Sequence, residues 1–153
     1  MRYILLLISL ISIQATAQDF WRDITTNGLL PFVAGFADGS VEVVQHHYQD
    51  FKAVYPGAND QYWNPDISWR NKYRNGDPTQ GSAFFGSRTF LVSLTDYYHL
   101  GRTVQRTTLL ASAGIQAATY DAGDSFWTYA GRFVIQFLWY TAGFNISYNY
   151  VFR

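Results

Sequence analysis

All three histidines and the only glutamate of this chain fall close in sequence to aspartates, at spacings that bring side chains together on a helix. Asp38, Glu42 and His46 stand at i, i+4 and i+8, which lines them along one helical face. Asp96 and His99 stand three apart, and Arg102 and Arg106 continue that face. Two helices that each present carboxylate and imidazole can surround a divalent ion with nitrogen and oxygen donors, a set suited to Zn²⁺, Mn²⁺ or Fe²⁺. The expected ligands are Asp38, His46, Asp96 and His99, with Glu42 as general base or further ligand. A metal with an open coordination position acidifies its bound water, so the implied chemistry is hydrolysis. The same residues fit a second reading. Asp38, Glu42, Gln45 and Gln49 share a face turned away from the apolar stripe, as a solvated helix face would. Asp96 sits among apolar neighbours and needs a partner, which Arg102, Arg88 or a backbone N–H can supply.

Two elements must position these groups. Over residues 29–55, Val33, Ala37, Val41, Val44, Tyr48, Phe51 and Tyr55 recur at helical spacing, with Pro31 near the start and Pro56-Gly57 as a stop. Asp38-Gly39 followed by Val41-Glu42-Val43 offers a competing hairpin; the longer helical stripe prevails. Residues 89–120 form the second expected helix, weakened at Gly101 and broken by the DAGD run at 121–124. Residues 126–153 follow a helical period, while the last ten alternate as a strand would. The fold class expected is therefore mainly α, a small helical bundle with a long aromatic-rich loop. A small outer-membrane β-barrel is the alternative.

That loop, residues 56–87, carries three of the four prolines together with Tyr62, Trp63, Trp69, Tyr73, Phe84 and Phe85. So long a segment without structure of its own is uncommon unless it is functional or pinned down. Trp63, Trp69 and the basic cluster Arg70, Lys72 and Arg74 are the expected substrate-binding wall, and the same aromatics suit contact with lipid, glycan or protein. The block YWNPDISWRNKY at 62–73, with TFLV at 89–92 and TDYYH at 95–99, resembles segments of an uncharacterised Bacteroidetes-type family of exported proteins. The likeness covers roughly residues 33–106. It brings no activity, and implies that helix, aromatic loop and TDxYH segment act as one unit.

Composition bounds the rest. Without cysteine there is no disulfide framework, thiolate nucleophile or thiolate-held metal. Eleven basic groups balance eleven acidic ones, which argues against nucleic acid as a partner. Met1-Arg2, the apolar run at 3–13 and Ala15-Thr16-Ala17 have the layout of a secretory signal covering residues 1–17. The mature chain is then expected to be a single helical domain, 18–153, exported to the periplasm or membrane of a cell envelope. Aromatics make up 19% of the chain and charged residues only 14%, a balance that points to contact with membrane lipid or an envelope component. No GxSxG, HExxH, Walker or GxGxxG motif is present. A non-catalytic, membrane-associated binding or structural protein is the alternative to the metal-dependent hydrolase.

Overall fold

The structure, a computed structural model, describes residues 21–153; the signal segment lies outside them. The described chain is mainly helical. A π-turn, Thr25–Leu29, runs directly into α1 (Leu30–His46), and α2 (Tyr48–Val54) follows after a break at His47. Two single-turn helices, α3 (Asp60–Trp63) and α4 (Pro65–Ser68), then lead through short 3₁₀ turns to α5 (Tyr97–Ala118). The chain closes with α6 (Phe126–Ile146) and a second π-turn, Ser147–Val151.

The wide turn before α1 has a cause in Pro31. A proline ring inside a helix crowds the carbonyl four residues back, and a π register in the preceding turn moves that carbonyl away. Thr26, Asn27 and Gly28 of the turn are all buried.

α1 is the central element, flanked by α5 on one side and α6 on the other. Its buried residues are mostly small: Ala34, Gly35, Ala37, Gly39 and Ser40 precede Val41, Val43 and Val44. α5 runs antiparallel to it, with Tyr97 beside Ser40 and Ser112 beside Thr26. α6 runs parallel to it, with Gln136 beside Asn27 and Tyr140 beside Asp38. Glycines make the approach of α1 and α6 close. A β-carbon on Gly35 would lie far inside contact distance of the Tyr140 carbonyl, one on Gly39 would meet the Phe144 carbonyl, and one on Gly143 would stand 2.9 Å from the Phe36 nitrogen. Gly101 of α5 makes room for Val41 in the same way.

The expected helix over 29–55 is present but interrupted, because His47 leaves helical geometry (φ −134°, ψ 40°) and its ring meets the Tyr148 hydroxyl at 2.9 Å. The bend turns Phe51 into an aromatic cluster at the end of the bundle. The hairpin alternative at Asp38-Gly39 does not form; Gly39 is a helix-interior contact point. The expected helix from residue 89 starts instead at Tyr97, since Asp96 caps it and Val92–Leu94 makes a separate 3₁₀ turn. Residues 126–146 are helix throughout, and the alternation at the C-terminus makes no strand. Among the described residues the only β pairing is an isolated bridge between Tyr73 and Ser82, so the barrel alternative has no support.

Aromatic packing pins the long loop. Trp63 stacks on Tyr97 at 4.0 Å and on Phe51 at 5.0 Å, while Phe152 stacks on Phe51 and Tyr97 from the C-terminus. Asn71 ties the loop to the start of α5 by donating to the Thr95 carbonyl at 2.9 Å. Loop, α1, α5 and C-terminus therefore share one aromatic core.

Candidate functional site

Two polar clusters hold the residues singled out by sequence, and they are separately satisfied. In the first, Arg102 reaches across from α5 to α1. One guanidinium nitrogen binds Asp38, and the other binds Glu42 at 2.6 Å. Tyr140 of α6 donates to the second Asp38 oxygen at 2.6 Å and accepts from Gln105 at 3.0 Å. Burial, reinforced by the Asp38 carboxylate, pushes the Tyr140 phenol up to about 12. Arg102 also stands 5.7 Å over the Tyr98 ring. Glu42 extends the network outward to His46 at 3.5 Å, and the His46 side chain is 59% exposed.

In the second cluster Asp96 is fully buried and caps α5. It accepts the His99 backbone N–H at 2.9 Å and the Thr95 hydroxyl at 2.8 Å, and its two oxygens lie 2.7 and 2.9 Å from His99 Nδ1. Burial alone would raise the Asp96 carboxyl, but the hydrogen bonds from His99 and Thr95 outweigh it and hold the group below its ordinary 3.8. The sequence reading required a partner for Asp96, and the partners are the cap N–H, the Thr95 hydroxyl and the imidazole.

The sign of the Asp96 shift sets a pH dependence. A carboxyl that titrates lower in the folded than in the unfolded chain stabilises fully above the unfolded value of 3.8, and that contribution is lost as pH falls through the folded value. Urea midpoints of the native chain should therefore fall more steeply below pH 4 than those of Asp96→Asn. Parallel acid limbs for the two proteins would contradict this. Loss of the cap itself should cost Asp96→Ala about 1–2 kcal/mol at neutral pH.

The five residues expected to build a metal centre are thus divided. Asp38 and Glu42 are engaged by Arg102, Asp96 and His99 by each other, and His46 lies at the rim. Among the described residues, no three of His, Asp and Glu converge as an ion would require. The expected substrate wall is divided as well. Trp63 is a packing residue between Phe51 and Tyr97. Trp69 is partly exposed with the Arg70 guanidinium 5.4 Å above its ring, and Lys72 stands 5.5 Å over Tyr73. Arg74 is exposed on the next turn.

The feature that sequence reasoning missed is the distribution of apolar surface. α6 turns Gly143 and its polar groups Gln136 and Tyr140 toward α1 and leaves Phe133, Val134, Ile135, Phe137, Leu138 and Trp139 exposed. Phe133 is 70% exposed and Phe137 60%. At the first π-turn, Ser112 of α5 donates to the Thr26 carbonyl at 2.7 Å, and the Asn27 side-chain oxygen accepts from Gln116 of α5 and Gln136 of α6. Away from the aromatic cluster at the loop end, the helix contacts are made by small and polar residues, and the outer face of α6 is large and apolar. The legible signals were the Gly35-x-x-x-Gly39 spacing and the uncharged stretch at 133–152.

No known protein family matches this chain, and no characterised protein or solved structure is detectably similar to it.

Proposed function

We propose that this is a non-catalytic envelope protein that docks on membrane lipid through the apolar outer surface of its helical layer, centred on α6. The supporting observation is the inverted arrangement just described: small residues and hydrogen-bonded polar groups line the helix contacts, and bulky apolar groups face outward. In water such exposure carries an unrecovered cost, and lipid removes it. Lipid suits this surface better than a single protein partner because the apolar residues cover three sides of α6 rather than one stripe. Charge is arranged to match. Residues 24–37, 107–120 and 133–152 contain no Asp, Glu, Lys or Arg. Tryptophan, tyrosine and arginine, which favour a membrane interface, mark their ends, with Trp21, Trp127 and Arg132 at one end and Tyr150 and Arg153 at the other. No helix among the described residues is long and apolar enough to cross a membrane, so the reading is docking and partial burial. The metal-dependent hydrolase is less well supported, because its expected ligands are already engaged by Arg102 and by the α5 cap.

Flotation tests the proposal. The full chain, freed of detergent in the presence of phosphatidylcholine vesicles, should float with them, and brominated lipid should quench its tryptophan fluorescence. Phe137→Lys with Leu138→Lys, two exposed positions, should remove most of the floated fraction, since each lysine costs up to about 2.5–3.5 kcal/mol in hydrocarbon. A chain that stays monodisperse in buffer without lipid and shows no quenching would overturn the docking reading, as would one that buries this face in a lipid-free oligomer.

A further inference from the structure

The Asp96–His99 pair opens onto a cleft of about 530 Å³ between the loop and the bundle, lined by Trp69 and Lys72 from the loop, Gln45 from α1 and Tyr98 from α5. The imidazole is held in one orientation. Its Nδ1 faces both oxygens of a buried, ionised carboxylate, so Nδ1 carries the proton and Nε2 is left with the lone pair in the neutral ring. Nε2 makes no hydrogen bond among the described residues. The cap of α5 needs one acceptor and one N–H; a second contact that fixes the ring is more than capping requires.

The cleft also holds a cation with no acid paired to it. Lys72 pairs with no carboxylate among the described residues, and its ammonium stands 5.5 Å over the Tyr73 ring. Arg70 likewise lies on Trp69 and Arg88 on Tyr73, at 5.4 Å each, with no acid. Asp96, the one carboxylate lining the cleft, is consumed by its own hydrogen bonds. An ammonium group without a counter-ion, an imidazole with a free nitrogen and a partly exposed indole therefore line one opening.

We infer that this cleft binds a phosphomonoester, its phosphate held between Lys72 and His99 Nε2 and its attached group lying against Trp69. A dianion supplies a counter-charge to Lys72, and its oxygens accept from Lys72 and from a protonated Nε2; the monoanion instead donates its P–OH to the lone pair of a neutral one. The charged groups facing His99 are Asp96 on its own helix and Lys72 from the loop. The site lies at the loop end of the bundle and does not depend on lipid docking by α6. A soluble phosphate ester and a phosphate-bearing lipid headgroup share this chemistry.

Histidine side-chain NMR on the full chain tests it, with phenyl phosphate and short-chain dihexanoyl phosphatidic acid as probes. Titration should move the His99 ring resonances saturably and leave those of His47 in place, with quenching of the Trp69 contribution to fluorescence. Lys72→Gln should weaken binding at least tenfold, while Arg74→Gln, outside the cleft, should leave it unchanged. Tighter binding of phenyl phosphate identifies a soluble ester as the ligand class, and tighter binding of phosphatidic acid a lipid headgroup. Absence of a saturable His99 response to either probe overturns the inference. So does an equal response to benzyl alcohol, or unchanged affinity in a folded Lys72→Gln protein.

Discussion

Gly35→Ala is expected to lower the thermal midpoint by on the order of 10 °C, and Gly35→Leu to prevent folding. The added methyl group has no space to enter, because the Tyr140 backbone carbonyl already occupies it, and a backbone atom cannot swing aside as a side-chain tip can. α1 and α6 must separate, which strains every contact along the parallel pair, including Gly39 against Phe144 and Gly143 against Phe32. Overpacking of this kind costs about 3 kcal/mol, and each kcal/mol moves the midpoint of a domain of this size by about 2–4 °C. Gly114→Ala is the control with the opposite sign. It also lies in a helix interior, but a β-carbon there meets nothing within 4 Å. Removing glycine's entropic cost should then raise stability by about 0.5–1 kcal/mol. Near-UV circular dichroism melts of the two variants in the same lipid mimetic decide the matter. Equal shifts of one sign would mean that the glycines matter only through helix propensity and that the close packing is wrong.

Arg102→Met is expected to destabilise by about 2–3 kcal/mol, with most of the loss recovered when Asp38→Asn and Glu42→Gln are added. The guanidinium is the common partner of two carboxylates on α1, and its removal takes away their shared cation at a helix interface, leaving Asp38 the Tyr140 hydroxyl and Glu42 the more exposed His46. Breaking a fully buried pair costs about 3–5 kcal/mol. The side chains here are 15–30% exposed, so water offsets part of that penalty. The triple variant carries the prediction. If the network exists to neutralise charge between helices, an all-neutral replacement of similar shape should restore stability, as replacing a whole buried ion pair often does. Chemical denaturation of the single and triple variants measures it. A triple variant as unstable as Arg102→Met would show that the methionine's shape, and not the unpaired charge, is responsible.

Helices were legible because they rest on local periodicity. The stripe from Val33 to Phe51 and the stop at Pro56-Gly57 depend only on neighbours in sequence, whereas the Asp96 cap went unread and the second helix was expected to begin at residue 89. The break at His47 was hidden, since it is stabilised by Tyr148, a residue 101 positions away. The polar site was half legible. Spacing placed Asp38 with Glu42 and Asp96 with His99, but spacing along single helices cannot say which helix faces which. Arg102 was read as a continuation of the α5 face and proved to be the group that engages Asp38 and Glu42 across the interface. Trp63 looked like a ligand contact because an aromatic in a polar loop reads as exposed; the bend at His47 brings Phe51 to cover it. The inverted surface of α6 was obscured because helical period finds an apolar face without saying whether that face meets protein or solvent.

The parallel pairing of α1 with α6 also fixes an order of events during synthesis. Asp38 and Tyr140, which meet in the finished bundle, are separated by 102 residues. At translation rates of about 5–20 residues per second, α1 waits roughly 5–20 s before its principal partner leaves the ribosome. Throughout that interval the glycine-lined side of α1 has no match, while the α5 segment, synthesised earlier, can already pack on its other flank. The fold is therefore completed by its last element, and a chain stopped before Phe126 retains a central helix with one flank missing.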